Sequence, residues 1–211
     1  MPAKRIHLVR HGEVYNPGGV LYGRLPNFHL SDTGHEMAKE AAKQLKAMGA
    51  NVTAIYTSPL VRAQESAKPI EELFGIDAKT EADLIEPYNV FEGRKLSVKA
   101  VATKPQWWWH FRNPAKPAWG ESFKEIIARM HSAIIQASDS VLDGDVVLVT
   151  HQLPIWVMSL SANGKRLMHD PRKRRCALSS ITTFEIQDGK LVEVGYLDPA
   201  SKLASIDKGA V

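Results

Sequence analysis

Ile6-His7-Leu8-Val9-Arg10-His11-Gly12-Glu13 carries a short, mostly apolar run into an arginine, a histidine and a glycine. The run has the length and near-continuous apolar character of a parallel strand buried on both faces. Its order sets a guanidinium and an imidazole at the strand's carboxyl end, beside a residue that lets the backbone turn. An unprotonated imidazole next to a fixed cation is suited to attack a phosphoryl group. Three residues alone say little, but three later segments deliver matching groups at similar places.

Thr53 to Tyr56 and Val146 to Val149 read as two more buried strands. A helix is expected from about Ser31 to Met48, with Ala38, Ala41, Ala42 and Leu45 on one face, Ser31 or Thr33 as cap and Gly49 as stop. A second helix should begin at Ser58-Pro59, a cap followed by a first-turn proline, and kink or break at Pro69. Ser122-Phe123-Lys124-Glu125 has capping-box form and opens a third, with Phe123, Ile126, Ile127, Met130, Ile134 and Ala137 in helical spacing. A fourth should follow His151 as far as Asn163-Gly164. Ser180 to Ile186, Asp188-Gly189 and Leu191 to Tyr196 then read as a β-hairpin.

Strands alternating with helices imply an α/β class: a three-layer α/β/α architecture with a mostly parallel central sheet and an antiparallel C-terminal edge hairpin. The pattern gives a single domain over residues 1–198, with a cap or specificity insertion around 87–119 and a loosely ordered tail over 199–211. With 211 residues the chain can bury a core without covalent staples, and its one cysteine, Cys176, allows no intramolecular disulfide. No apolar stretch has signal-peptide or membrane-span length, so a cytoplasmic protein with no membrane partner is expected. The net charge of +4 favours anionic partners without choosing among them.

Ligands of open α/β sheets bind beyond the carboxyl ends of the strands. Arg10 and His11 end the first strand, Arg62 falls in the first turn after the second, and His151 ends the third. Glu86 lies in the loop Leu84-Ile85-Glu86-Pro87 between them. Phosphoryl transfer needs little beyond positioning and charge neutralisation, and this set supplies both. Two guanidiniums can fork onto the non-bridging oxygens, one histidine can attack and the other donate, and a carboxylic acid can protonate the leaving oxygen. Taken singly, each of these residues reads more simply as structural or solvated; their joint placement carries the chemistry.

Leu8-Val9-Arg10-His11-Gly12-Glu13, Ser58-Pro59-Leu60-Val61-Arg62-Ala63-Gln64-Glu65-Ser66-Ala67, Gly120-Glu121-Ser122 and Val149-Thr150-His151 resemble, in order, the signatures of the histidine phosphatase superfamily. The branch resembled contains cofactor-dependent phosphoglycerate mutases and many small-molecule phosphatases. The resemblance spans nearly the whole chain. It implies His11 as the nucleophile that becomes phosphorylated, Arg10, Arg62 and His151 as the phosphate pocket, and Glu86 as proton donor. It also implies a phosphate contact from Asn16, and neither metal nor organic cofactor. Arg24, Gln152 and Arg112 are further candidate phosphate or substrate contacts.

The chain departs from that pattern in three places. The loop from His11 to Asn16 is one residue short, and Gln152 stands where the family usually has glycine after the second histidine. Glu86-Pro87-Tyr88-Asn89-Val90-Phe91-Glu92-Gly93 lacks the arginine and glycines of the mutase form. The expectation is therefore a phosphatase acting on a small phosphorylated metabolite. A phosphoglycerate mutase is the alternative, and a non-catalytic phospholigand-binding module the second alternative. Trp107-Trp108-Trp109-His110-Phe111-Arg112 reads first as a packed cap, with Arg112 or Lys116 available to grip an anionic substituent. Arg172-Lys173-Arg174-Arg175 reads first as a solvated loop, with a contribution at the pocket rim to the field around an anionic substrate left open; nucleic acid is disfavoured as a partner, and a homodimer stays open.

Overall fold

The computed structural model describes residues 3–95 and 120–203. Six strands form one sheet: β1 (Arg5–Arg10), β2 (Val52–Thr57), β3 (Lys79–Thr80), β4 (Asp145–Thr150), β5 (Ile181–Gln187) and β6 (Lys190–Leu197), in the order β3-β2-β4-β1-β5-β6. The pairs β3–β2, β2–β4 and β4–β1 are parallel, and β1–β5 and β5–β6 antiparallel. Four helices are described: α1 (Asp32–Ala47), α2 (Val61–Phe74), α3 (Phe123–Asp139) and α4 (Gln152–Ala162). The expected mixed α/β sheet with an antiparallel edge is the one observed.

β4 shows why the layers form. All six of its residues are buried, and the pleat sends alternate side chains to opposite faces. Val146 and Leu148 pack with Ile126, Met130 and Ile134 of α3 and Ile155 and Met158 of α4. Val147 and Val149 pack with Ala41, Ala42 and Leu45 of α1 and Ala63, Ala67 and Ile70 of α2. Each fully buried Val, Leu or Ile contributes about 1.5–3 kcal/mol, so a strand apolar on both faces belongs in the middle of three layers.

The caps follow the sequence at three ends. The Ser31 hydroxyl accepts from Gly34 N, and Ser122 and Glu125 make a reciprocal capping box. At the hairpin tip Asp188 and Gly189 both have positive φ, 49° and 73°, as a type I′ turn demands.

Three expectations need correction. α2 begins at Val61 behind Leu60, which makes no side-chain cap bond, because Ser58 is buried with its hydroxyl engaged by His151. α2 also runs through Pro69 without a break. An interior proline costs about 3 kcal/mol; buried Ala63, Ala67 and Ile70 anchor the helix to the sheet on both sides of it. The third concerns the tail: Ala200 is buried against Met37 and Leu178, so the chain stays packed past Asp198. Residues 204–211, and with them the rest of that tail, lie outside the described residues, as do the tryptophan cluster, Arg112 and Lys116. The two-residue strand β3 had no signal in the sequence, being too short for any periodicity.

Two close approaches join β1 to α1. A Cβ on Gly12 would lie 2.4 Å from the Gly34 carbonyl oxygen, and one on Gly34 would lie 2.0 Å from that of Glu13. The Glu13 carboxylate accepts from the Ser31 hydroxyl at 2.6 Å, holding the cap of α1 against the loop that carries His11. Both contacts at the glycines are to backbone, which cannot rotate away. Gly12→Ala is expected to lower unfolding stability by roughly 1–3 kcal/mol, the usual range for forced overpacking; urea denaturation of wild type and variant checks this.

Candidate active site

Register brings the chemistry together. Arg10 of β1 pairs with Thr150 of β4, and Thr57 of β2 pairs with Val149. Three adjacent parallel strands therefore end level, and the next residues, His11, Ser58 and His151, leave the sheet along one edge. His11 N donates to the Thr150 carbonyl at 3.1 Å and Ser58 N to that of Val149 at 2.9 Å, prolonging the ladder into the site.

His11 and His151 stand with ring centroids 5.2 Å apart at 61°. Both are buried. His11 Nδ1 lies 2.8 Å from the Gly12 carbonyl oxygen. A carbonyl only accepts, so Nδ1 carries the proton and neutral His11 keeps its lone pair on Nε2. Burial first, then Arg62 and Arg10, hold its pKa well below the ordinary value, against a smaller opposing effect of the Gly12 bond.

His151 has the complementary arrangement. Arg62 Nη2 donates to its Nδ1 at 3.3 Å, which leaves Nε2–H to donate to Ser58 Oγ at 2.7 Å. Burial, Arg62 and His11 push its pKa well below the ordinary value too. The site is thus built to keep both imidazoles neutral when empty.

The two guanidiniums are fully buried and held from behind. Arg10 Nη1 donates to the Cys176 carbonyl at 2.6 Å, and Arg62 Nη2 to that of Gly23 at 2.7 Å. Arg62 also lies over the Tyr22 ring at 4.8 Å, a cation–π contact. Among the described residues, Arg62 Nε and Nη1 have no hydrogen-bond partner. Donors left unsatisfied in a buried place are costly, and a tetrahedral oxyanion would satisfy them.

Glu86 is 9 % exposed, with Oε2 3.7 Å from His151 Nδ1. Burial raises its pKa, opposed by Arg62, Arg174, Arg10 and Arg129. Its loop is tied down on both sides: Thr150 Oγ1 donates to the Leu84 carbonyl at 2.6 Å, Arg24 Nε to the Glu86 carbonyl at 2.5 Å, and Arg129 to that of Asp83. A carboxyl that favours its protonated form can give a proton to a departing oxygen.

A family model for the histidine phosphatase superfamily (branch 1) matches residues 6–199. The chain belongs to this superfamily. An uncharacterized protein of Mycobacterium tuberculosis is 46 % identical over 198 residues, covering 93 % of this chain and 97 % of that one. A probable phosphoglycerate mutase of Yersinia pestis is 27 % identical over 218 residues, covering 98 % and 97 %. Among solved structures, a phosphoserine phosphatase of Entamoeba histolytica bound to 3-phosphoglyceric acid superposes with a TM-score of 0.74 at 21 % identity, covering 91 % of this chain and 95 % of that one. A mycobacterial glucosyl-3-phosphoglycerate phosphatase superposes at 0.72 and 24 %, covering 90 % and 96 %. At these identities the structures share the fold.

In this member of the superfamily, Arg10, His11, Arg62, Glu86 and His151 meet in one place. The Asn16 amide donates to the Val20 carbonyl at 2.8 Å and accepts from Val20 N at 3.2 Å, closing its own loop. Arg24 braces the Glu86 loop and reaches Glu121 at 3.5 Å. Gln152 accepts from Arg174 at 3.2 Å and donates to the Cys176 carbonyl at 3.4 Å. The basic run is divided among separate tasks: Arg172 pairs with Asp170 at 2.8 Å, Arg175 pairs with Glu193 and lies over Tyr196, and Arg174 turns toward Gln152.

Sequence reasoning assigned no site role to Ser58, Ser66 or Tyr22, and left open a place at the pocket rim for the run that holds Arg174. Ser66 accepts from Gly12 N at 3.0 Å and donates to the Arg62 carbonyl at 2.7 Å, joining the loop after His11 to α2. Only Ser58 had a signal, and it read as a helix cap. No group of three or more His, Cys, Asp or Glu that could hold a metal ion occurs among the described residues, and none of their helices is long and apolar enough to cross a membrane.

Neutral histidine is favoured in the folded protein, so the unfolded chain binds more protons once pH falls below about 6.5. The stability these groups contribute is complete above that pH and is lost as pH drops toward their folded-state values. Urea midpoints should fall from about pH 8 to pH 5, and His11→Asn should fall less steeply. Parallel slopes would show that His11 is not a source of the dependence.

Proposed function

We propose that the protein is a phosphatase that hydrolyses a small phosphorylated metabolite in two steps, through a phosphohistidine on His11. The observation carrying this is the Nδ1 bond of His11 to the Gly12 carbonyl, which leaves the Nε2 lone pair available beside two guanidiniums. In the first step that lone pair attacks phosphorus and the bond from phosphorus to the ester oxygen breaks. Glu86 gives its proton to the departing alkoxide, while Arg10 and Arg62 hold the non-bridging oxygens. Binding of the dianion favours protonated His151, whose Nδ1–H can then donate to a phosphoryl oxygen. In the second step water attacks phosphorus, Glu86 takes its proton, and the P–N bond electrons return to Nε2.

Fixed donors aimed at developing charge cost no reorganisation during reaction, and each such group is worth about 10²–10³ in rate. The compartment in keeping with a single cysteine, which allows no intramolecular disulfide, is the cytoplasm. The second reading, a phosphoglycerate mutase, is favoured by the full-length likeness to the probable mutase of Yersinia pestis. Against it stands the segment after Glu86, where Pro87-Tyr88-Asn89 replaces the mutase pattern.

His11→Ala should abolish phosphate release from p-nitrophenyl phosphate, and wild type quenched during turnover should carry acid-labile phosphate on His11. Near-normal turnover in the variant would remove His11 from the mechanism. Incubation with 3-phosphoglycerate separates the two reactions: free phosphate marks the phosphatase, 2-phosphoglycerate the mutase.

Glu86→Gln should lose on the order of 10²–10⁴ in kcat on alkyl phosphates, and far less on p-nitrophenyl phosphate, whose leaving oxygen needs no proton. Because burial raises the Glu86 pKa, wild-type activity on alkyl esters should decline on the alkaline side as that proton is lost. Equal losses on both ester types would exclude Glu86 as the acid.

A further inference from the structure

Of the motifs that mark the sequence, Gly120-Glu121-Ser122 has no part in the two steps above. Ser122 caps α3, but Glu121 precedes the cap, and its carboxylate is engaged elsewhere. Arg129, in the second turn of α3, donates to it as a fork: Nε to Oε1 at 2.8 Å and Nη2 to Oε2 at 3.0 Å. Arg24, from the segment after β1, reaches the same Oε2 through Nη2 at 3.5 Å.

The remaining donors of both guanidiniums hold the loop that carries Glu86. Arg129 Nη1 donates to the Asp83 carbonyl, and Arg24 Nε to the Glu86 carbonyl at 2.5 Å. Farther on, Asn89 forms a β-bridge with Gly120, the residue before Glu121. The backbones there are so close that a Cβ on Gly120 would lie 2.1 Å from the Tyr88 carbonyl oxygen. The loop is thus gripped at its start, at Glu86 and at its end, and each grip leads back to Glu121 or to its neighbour in the chain. Exposed ion pairs hold little, but the Arg129–Glu121 fork is largely withdrawn from water, its side chains 13 % and 18 % exposed.

Glu121 also governs the field at the acid. Glu86 lies 3.7 Å from His151 Nδ1. Burial protects its proton, and Arg62, Arg174, Arg10 and Arg129 oppose that protection. Of these cations, Arg129 has its charge offset by Glu121 at contact distance.

We infer that Glu121 is a positioning residue for proton delivery: by holding Arg129 and Arg24 together, it sets the place of the Glu86 loop and offsets the charge of the arginines that grip it. This rests on the phosphatase reading with Glu86 as the acid, and Glu121 acts through its two partners. Arginine suits the linkage, because one planar guanidinium can fork onto a carboxylate and still donate to a carbonyl.

Phenyl phosphate and p-nitrophenyl phosphate test it with the full chain, since they are similar in size but phenolate departs poorly without a proton. Glu121→Gln keeps the shape of the side chain and removes its charge. Its kcat should fall roughly tenfold further on phenyl phosphate than on p-nitrophenyl phosphate, a part of the 10²–10⁴ that a general acid supplies. KM should change little on either ester. The alkaline decline of kcat on phenyl phosphate should move to lower pH, because an uncompensated Arg129 favours ionised Glu86. Glu121→Asp retains the charge and should keep that decline near its wild-type pH.

Equal losses on both esters, with the alkaline decline unmoved, leave Glu121 a structural role only and overturn the inference. If Glu121→Gln does not fold, Arg24→Gln decides, since it frees the Glu86 carbonyl from a side chain 35 % exposed. It too must lose more on phenyl phosphate, and equal losses there overturn the inference. The levels stay separate. A wild type that releases no phosphate from either ester fails the phosphatase reading itself, and equal losses in Glu86→Gln remove Glu86 as the acid. A leaving-group effect in Glu86→Gln without one in Glu121→Gln sinks only the role of Glu121.

Discussion

Two guanidiniums and two imidazoles are buried within one pocket, and nothing else in the fold is as expensive to keep there. Charges removed from water are tolerated only when neighbours satisfy them or a ligand does. Here the Cys176 and Gly23 carbonyls and the Tyr22 ring hold the arginines from behind, while the histidines respond by giving up their protons. The same crowding that would destabilise an imidazolium leaves each ring with an unprotonated nitrogen.

That arrangement depends on the sheet's register. β1, β2 and β4 end level because Arg10 faces Thr150 and Thr57 faces Val149. A slip of one residue would turn every side chain of a strand to the other face, exchanging the partners of both helical layers. The apolar side chains on the two faces of β4 therefore set the positions of His11 and His151. Core packing fixes the placement of these side chains through the strands, and a loop adds Glu86, which the strands cannot reach.

Much of this was legible without coordinates. The strands that end in Arg10-His11 and His151, the capping box at Ser122 and the turn at Asp188-Gly189 all followed from local pattern, because period, cap and turn chemistry act over a few residues. Ser58 was misread for the same reason. A serine before a proline looks like a helix cap, and its hydroxyl does accept from Leu60 N at 3.4 Å, but its shorter bond is to His151, 93 residues away. Pro69 was misjudged because local propensity omits the anchorage of α2 on the sheet. Asn16 fell near the right place in the chain but closes its own loop.

The sequence by itself determined the α/β class and the strand ends that carry charge, since these rest on short-range periodicity and chemical type, and its family resemblance singled out His11, Arg10, Arg62, His151 and Glu86 as candidates. It could not decide which nitrogen of each histidine bears the proton, because that depends on whether a carbonyl, a hydroxyl or a guanidinium lies opposite. Nor could it separate Arg174 from its neighbours in a basic run. Four adjacent cations look alike until the fold gives each a different partner, and only tertiary contact with Gln152 and His169 turns one of them toward the site.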